Sequence, residues 1–278
     1  MKNLVALLFA VVLLASCSNS NKEEPPKWQA VKTIKLEGVS PMGIAEISNT
    51  LWVSDAVGNR IVSVAENNEA IQTLDSFVRP MHIATDGKNL FVPEFNNNQV
   101  MITSGVQRAV IPVGDSLSKP SAVSVFENEM AVSYFEDNQV LYSNNGKDWL
   151  HIGKNATEEA ALNQPTDVQI TQDNIWVADG YNNRVQVYSK DGKLLNTIGE
   201  QDSIDVAMGL FVSEKELFVT DFDNNRVLVY DHQGELLQEL TKDIKSPSEV
   251  YLQNDRLFIL NYLASSMVVY KKKATETE

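Results

Sequence analysis

The apolar positions of the chain recur in a unit of 39 to 45 residues. Each unit opens with a short apolar stretch, and the six starts are Pro41, Pro80, Pro120, Pro165, Ala207 and Pro247. A second stretch, almost wholly apolar, follows each start at a constant distance, with the sequences LWVSD, LFVPE, MAVSY, IWVAD, LFVTD and LFILN. Self-similarity at such a period predicts a repeat architecture.

Each unit contains the pattern of four short strands. A third apolar stretch begins a few residues after the second, and a fourth, such as AIQTL or LLNTIG, completes most copies. Turn residues such as Asp191-Gly192 separate them, which predicts antiparallel hairpins in an all-β fold. The continuous apolar second strands indicate cover on both faces, as in a ring of radially arranged sheets.

The two ends of the repeat region complement each other. The last copy stops after Met267–Tyr270 without a fourth strand, whereas an extra strand at Ala30–Leu36 precedes the first copy. A sandwich or an open solenoid would not explain this arrangement. We therefore predict a six-bladed β-propeller of four-stranded antiparallel blades over residues 30–271, closed by the N-terminal strand, with a polar tail at 272–278.

The repeat resembles a known family. The pattern Pro-x-x-Val, then Trp/Phe-Val-x-Asp, then Asn-Asn-Arg-Val-x-Val-Tyr is similar to the NHL repeat. It is clearest at Pro165–Tyr188 and Ala207–Tyr230, and good at Pro41–Val64. Copies two, three and six depart from it, with Gln99, Gln139 and Ser266 in place of Arg. The resemblance implies a propeller but no single function, since NHL propellers include binding modules, scaffolds and a few lyases.

The first residues have the pattern of an export signal. Lys2 precedes the apolar run Leu4–Ala15, and Leu14-Ala15-Ser16-Cys17 resembles the bacterial lipobox. We expect a lipoprotein signal peptide at 1–16, a lipidated Cys17, and a flexible tether at 17–29. Cys17 is the only cysteine, so an internal disulfide is excluded. Ser18 after the cysteine favours the outer membrane, facing the periplasm or the cell surface.

Composition narrows the range of partners. The formal net charge is −14, from 37 acidic and 23 basic side chains. Nucleic-acid binding needs clustered Lys and Arg, so we expect no nucleic-acid partner. Membrane attachment is expected through the lipid on Cys17 rather than through protein charge.

In such a meander, the starts of the first strands and the ends of the second strands lie at one end of the ring, which we call the mouth. Acid–arginine pairs recur there in three copies, which favours a structural role in the blade turns: Asp55 with Arg60, Asp179 with Arg184, and Asp221 with Arg226. Residues that depart from the repeat are the candidates for ligand binding: His82, Glu94, Tyr134, Asp167, Glu249 and Asn261.

The residue inventory limits metal chemistry. The three histidines, His82, His151 and His232, fall at a mouth position, an outer strand and a hairpin turn, so they cannot form a three-His zinc site. Oxygen ligands from Glu94, Asp167, Glu249 and Asn261 would suit Ca²⁺, as in related lactonase propellers. No cofactor is expected otherwise, and no catalytic residue is assigned.

We therefore expect an outer-membrane-anchored recognition or scaffold module that presents its mouth to a peptide, glycan or protein. The alternative is a divalent-cation-dependent hydrolase or lyase acting at the mouth. A third hypothesis is a structural subunit of an envelope assembly. Exposed aromatic residues at a broad mouth would favour recognition, a deep polar mouth with a metal would favour the enzyme, and an apolar rim would favour the scaffold.

Overall fold

The computed structural model describes residues 27–64, 72–105, 107–114, 117–154 and 156–273. These residues form six four-stranded antiparallel sheets, which confirms the predicted six-bladed propeller. Blade 1 contains β2 (Pro41–Ile47), β3 (Thr50–Asp55), β4 (Arg60–Val64) and β5 (Thr73–Leu74). Blade 2 contains β6 (Ala84–Thr85), β7 (Leu90–Glu94), β8 (Gln99–Ser104) and β9 (Gln107–Ile111). Blade 3 contains β10 (Pro120–Phe126), β11 (Glu129–Tyr134), β12 (Gln139–Ser143) and β13 (Leu150–Ile152).

The second half repeats this arrangement. Blade 4 contains β14 (Asp167–Ile170), β15 (Asn174–Asp179), β16 (Arg184–Ser189) and β17 (Leu194–Ile198). Blade 5 contains β18 (Ala207–Val212), β19 (Leu217–Asp221), β20 (Arg226–Tyr230) and β21 (Leu236–Leu240). Blade 6 contains β22 (Pro247–Gln253), β23 (Arg256–Asn261), β24 (Ser266–Lys272) and β1 (Trp28–Lys35). Two 3₁₀ turns, Glu158–Ala160 and Gly180–Asn182, flank and interrupt blade 4. No helix in the described part of the chain is long and apolar enough to span a membrane.

Blade 6 is completed by the first strand of the chain. Strand β1 pairs antiparallel with β24, from Trp28 opposite Lys272 to Lys35 opposite Ser266. Trp28 is buried and packs edge-on against Phe218 of blade 5, with ring centroids 5.6 Å apart. The N-terminal closure predicted from the two incomplete ends is therefore confirmed.

The apolar core lies between neighbouring blades. Residues of β7 and β19 are buried along their whole length, because each sheet is covered on both faces. Hydroxyl groups near the starts of inner strands add hydrogen bonds between blades: Ser121 Oγ donates to the carbonyl of Pro165, and Ser248 Oγ to that of Pro41, both at 2.7 Å. The bond from Ser248 joins blade 6 to blade 1 and so closes the ring at its centre.

Candidate functional site

Two residues after each repeat start, one residue of every blade lies near the centre of the ring. These residues are Gly43, His82, Ala122, Asp167, Gly209 and Glu249. Only glycine fits without a clash at two of these positions. A Cβ on Gly43 would lie 2.6 Å from the Cα of His82. A Cβ on Gly209 would lie 2.8 Å from Oε1 of Glu249. Small residues therefore leave the centre to His82, Asp167 and Glu249, which we call the axial cluster.

The axial cluster is buried and hydrogen-bonded. His82 Nδ1 lies 2.7 Å from Oε2 of Glu249, and the two side chains come from blades 2 and 6. The carboxylate of Asp167 accepts the backbone N–H groups of Val168 and Leu210, both at 2.8 Å. Relative exposures are 1% for His82, 6% for Asp167 and 7% for Glu249. These three of the sequence-predicted site residues are thus brought together.

The backbone places His82 between two blades. Its N–H donates to the carbonyl of Ser121 at 3.1 Å, and its own carbonyl accepts the N–H of Val123, both in blade 3. Pairing with blade 3 interrupts the inner strand of blade 2, so β6 retains only Ala84 and Thr85. Nδ1 bonds Glu249, while Nε2 is buried and has no hydrogen-bond partner within the described residues.

Burial shifts the proton affinities of the axial cluster. It raises the pKa of Asp167 to about 7, with the negative charge of Glu249 acting in the same direction and His82 opposing it. Burial also raises the pKa of Glu249 well above its usual range. Burial lowers the pKa of His82, and Asp167 partly offsets this. Burial and the mutual repulsion of the two carboxyl groups therefore favour a protonated carboxyl group over two buried negative charges.

The axial cluster is the candidate site for the metal that a lactonase-like propeller would hold. Among the described residues, His82, Asp167 and Glu249 are the group whose ligand atoms come close enough for a metal ion, all within 4.8 Å of one another. Ca²⁺ requires six to eight oxygen ligands, whereas this cluster offers two carboxyl groups and one imidazole. With one nitrogen ligand and only two carboxyl groups, the axial cluster does not fit Ca²⁺.

Two of the four expected calcium ligands lie in blade turns instead. Glu94 accepts the N–H of Val78 at 2.9 Å and the amide of Asn97 at 2.9 Å, and Gln99 also donates to it. Asn261 accepts the N–H of Lys245 at 3.0 Å. Asp179 accepts the N–H of Asn163 and Asp221 accepts that of Asp205 in the same way. Glu94 and Asn261 therefore take the place of the aspartate in a turn that recurs from blade to blade.

The acid–arginine pairs stabilise the same turns. The Nε of the arginine lies near Oδ2 of the acid at 2.9 Å for Arg60–Asp55, 3.0 Å for Arg184–Asp179 and 2.6 Å for Arg226–Asp221. All three acids are buried. In blade 2, Gln99 replaces the arginine as donor to Glu94. The turn therefore needs an acceptor and a donor rather than a particular ion pair.

The remaining predicted residues lie apart from the axis. Tyr134 is 3% exposed and packs between blades 2 and 3 with Phe91 and Leu141. His151 bonds Gln139 at 2.8 Å in the outer part of blade 3, and His232 lies in the turn between β20 and β21. Cys17 lies outside the described residues.

The axial cluster separates two pockets. The mouth pocket, of about 350 Å³, is lined by Met42, Arg79, Met81, His82, Phe95, Ser121, Phe135, Glu136, Thr166, Tyr181 and Met208. The lower pocket, of about 340 Å³, includes Asp167 and Glu249 in its lining. His82 lines the mouth pocket, and Glu249, to which its Nδ1 is hydrogen-bonded, lines the lower pocket, so this pair lies between the two.

Aromatic rings line the mouth pocket, although none of them is among the site residues predicted from departures from the repeat. Phe95 and Phe135 meet edge-on with centroids 5.7 Å apart, and Phe135 and Tyr181 at 5.9 Å. Tyr181 is 51% exposed. The signal was available in the sequence, because the residue directly after the second strand is aromatic in four copies: Phe95, Phe135, Phe222 and Tyr262.

Comparison with known proteins supports the fold. A model of the NHL repeat matches residues 162–188, which include β14 and β15 of blade 4. No curated protein matches the sequence. A gluconolactonase from Xanthomonas campestris is 16% identical, with a TM-score of 0.72 over 87% of this chain and 89% of its own.

Two lyases share the architecture. A streptogramin B lyase is 12% identical, with a TM-score of 0.66 over 90% of this chain and 88% of its own. The virginiamycin B lyase of Staphylococcus aureus is 12% identical, with a TM-score of 0.66 over 89% of this chain and 100% of its own. At such identities the likeness shows the fold alone. The chain is a six-bladed propeller that contains an NHL repeat.

Proposed function

We propose that this propeller is a recognition module, tethered to the outer membrane by lipid on Cys17, whose mouth pocket binds an apolar group of its ligand. The observation that carries the proposal is the continuous series of rings Phe95, Phe135 and Tyr181 beside the pocket. Aromatic walls with a few polar groups are typical of ligand pockets. The volume of about 350 Å³ suits a small molecule or one large side chain of a peptide or protein.

Methionines make the pocket adaptable. Met42, Met81 and Met208 complete the lining below the rings. Unbranched thioether side chains change shape at low cost and contact aromatic groups favourably. His82 also lines this pocket, and its Nε2 is buried without a hydrogen-bond partner in the described part of the chain. A partner that gives this nitrogen a hydrogen bond would remove the cost of leaving a buried polar atom unpaired.

A solvatochromic probe tests the recognition proposal. Dansylamide, which is neutral and aromatic, should bind the wild-type protein with saturable fluorescence enhancement. Tyr181→Ala and Phe135→Ala should each weaken binding by roughly 2- to 10-fold, the range expected for loss of one aromatic contact. Phe126→Ala, in the lower pocket, is the matched control and should leave the affinity unchanged. Equal weakening by the control variant, or no saturable binding, would refute the proposal.

A second function is supported by one observation, the hydrogen bond between His82 Nδ1 and Glu249. A carboxyl group hydrogen-bonded to one imidazole nitrogen orients the ring, and in its ionised form it assists proton transfer at the other nitrogen. The gluconolactonase and the lyases with this fold make a hydrolase or lyase the alternative. It ranks second because Nε2 of His82 is buried in the described part of the chain, where a substrate would not reach it without a rearrangement.

Lactone hydrolysis distinguishes the two functions. Hydrolysis of glucono-δ-lactone should proceed at the same rate with wild-type protein and with His82→Ala, with or without added divalent cations. A metal-stimulated rate that His82→Ala abolishes, in a variant whose thermal unfolding is unchanged, would replace recognition by catalysis.

A further inference from the structure

Two cations occupy one side of the mouth. Arg79 and Lys119 each directly precede a repeat start, in blades 2 and 3. The equivalent residues in the other blades are uncharged: Ser40, Gln164, Val206 and Ser246. The backbone N–H groups of Arg79 and Lys119 are held by Asn59 and Asn98 at 2.8 and 3.0 Å. Adjacent blades therefore fix two positive side chains beside the same pocket.

Both cations stack on one ring of the mouth. The guanidinium carbon of Arg79 lies 4.7 Å from the centroid of Phe95, and Nζ of Lys119 lies 5.3 Å from it. Cation–π contacts of this kind hold the charged groups against the aromatic wall. Arg79 also lines the mouth pocket itself. The positive charges consequently adjoin the apolar surface on which a ligand would rest.

Among the residues that the structure describes, these two charges have no acidic partner. Arg60, Arg184 and Arg226 each pair with a buried aspartate. In the described part of the chain, Arg79 and Lys119 pair with no carboxylate, in a protein of net charge −14. Glu136 lines the same pocket and is exposed, but it makes no ion pair with either cation. Two unneutralised cations beside an aromatic pocket are complementary to an anionic ligand.

We propose that the mouth selects an organic carboxylate, with its apolar body against Phe95, Phe135 and Tyr181 and its carboxylate between Arg79 and Lys119. This inference rests on the proposed function of the mouth as a recognition site and specifies the ligand class. The planar guanidinium of Arg79 can hold both carboxylate oxygens, and Lys119 adds a second positive charge.

Two matched probes test this inference separately from the recognition proposal on which it rests. Dansylglycine and dansylamide share a fluorophore and differ by a carboxylate. Wild-type protein should bind dansylglycine more tightly, and rising salt concentration should reduce the preference. Arg79→Gln should reduce the ratio of the two affinities about 10-fold, as expected for loss of a charge-assisted hydrogen bond. Lys119→Gln should reduce it less, and Glu136→Gln should increase it.

The control removes another arginine from the same blade. Arg108 stacks on Phe77 at 4.1 Å, on the outer strand β9. Arg108→Gln therefore removes the same charge and the same kind of contact, and should leave the affinity ratio unchanged. If dansylamide binds at the mouth but dansylglycine has no advantage, or a cationic dansyl amine binds more tightly, the inference is overturned and the recognition proposal stands. If neither probe binds, both fail.

Competition identifies the source of the carboxylate. Phenylacetate represents a free organic acid, and N-acetyl-Gly-Gly-Phe represents the C-terminus of a peptide, with its C-terminal amide as control. Displacement of dansylglycine by either acid, but not by the amide, supports carboxylate recognition and shows which source is preferred. Displacement by the amide as readily as by the acid contradicts it.

Discussion

Oδ1 of Asn225 in blade 5 accepts the backbone N–H of Ser246 in blade 6 at 2.8 Å. An equivalent hydrogen bond, from a backbone N–H to an asparagine Oδ1, links the blades at the four preceding junctions: Arg79 to Asn59, Lys119 to Asn98, Gln164 to Asn138 and Val206 to Asn183. Each asparagine has a positive φ, which Asn tolerates better than most residues. At the junction formed by closure, Ser265 stands where the asparagine would be. The asparagine before the third strand is therefore both a turn residue and a link between blades.

Loss of this link should destabilise the ring. We expect Asn225→Ala to lower the free energy of unfolding by about 1–3 kcal/mol, because the N–H of Ser246 loses its acceptor and alanine tolerates the positive φ poorly. Asn225→Asp should cost much less, since it keeps the acceptor. Asn254 has a φ of 56° in the hairpin of blade 6 and, within the described residues, no hydrogen bond to another blade, so Asn254→Ala measures the cost of the backbone alone. Urea denaturation of the three variants checks this, and equal losses for Asn225→Ala and Asn254→Ala would contradict a linking role.

The fold was predictable because its signals are periodic. Six repeat starts, the apolar second strands and the unpaired strand before Pro41 define blade number and closure without any knowledge of distant contacts. The site was less predictable. Comparing one copy with the next identified His82, Asp167 and Glu249, which do meet at the axis.

Comparing the copies could not distinguish a residue that differs in type but keeps the role of its counterparts from a residue that has a new role. Glu94 and Asn261 differ from the repeat in residue type, yet each accepts the same backbone N–H as its counterparts, which depends on side-chain reach rather than on identity. The aromatic residues of the mouth follow the repeat and so were not singled out. Arg79 and Lys119 acquire their importance from Phe95, a contact that sequence spacing does not reveal.

Closure by β1 should be essential for cooperative unfolding. Deleting Trp28–Leu36 exposes the edge of β24 and uncovers Phe218, which Trp28 contacts. We expect a broadened thermal transition and a tendency to dimerise or aggregate, because an unpaired edge strand binds other chains. Deleting residues 18–26 instead should leave the transition unchanged. Calorimetry and light scattering check both, and an unchanged transition after loss of Trp28–Leu36 would show that β1 does not close the ring.

The expected lipid on Cys17 would place the protein in the membrane fraction. Cys17→Ser should release the protein from the membrane fraction or leave an uncleaved precursor, since the short apolar run Leu4–Ala15 anchors poorly by itself. Ser20→Ala, in the expected tether, serves as the control because it leaves the cysteine and the residues before it unchanged. Fractionation and mass spectrometry of the N-terminal peptide check the prediction. An unmodified Cys17 in wild-type membranes would disprove it.

Calcium should not stabilise the protein. Glu94 and Asn261 are engaged in blade turns, and the axial cluster retains two carboxyl groups and one imidazole. We expect the melting temperature to stay the same in calcium and in chelator, because a ligand raises it only by binding the folded state. Asp167→Asn and Glu249→Gln provide the comparison. A saturable, chelator-reversible rise that these substitutions abolish would establish a cation site and favour the enzyme alternative.

The axial cluster should make stability depend on pH. The pKa of Asp167 is raised from 3.8 to about 7, so the folded chain binds a proton that the unfolded chain has released over this interval. The free energy of unfolding contributed by Asp167 is therefore greatest below pH 3.8 and is lost as the pH rises through about 7. The raised pKa of Glu249 acts in the same direction. The lowered pKa of His82 acts in the opposite direction, since its contribution is present above pH 6.5 and is lost as the pH falls through its folded value.

Replacing Asp167 separates these effects. Asp167→Asn cannot ionise, but it provides one acceptor oxygen where the carboxylate accepts the N–H groups of Val168 and Leu210. Because only the wild-type side chain becomes a buried negative charge, the stability of the variant relative to wild type should rise as the pH rises through about 7. Asp173→Asn, at an exposed turn of the same blade, should show no such trend. Urea denaturation over this pH range measures the difference, and a constant difference between wild type and Asp167→Asn would mean that Asp167 is ionised in the folded protein throughout.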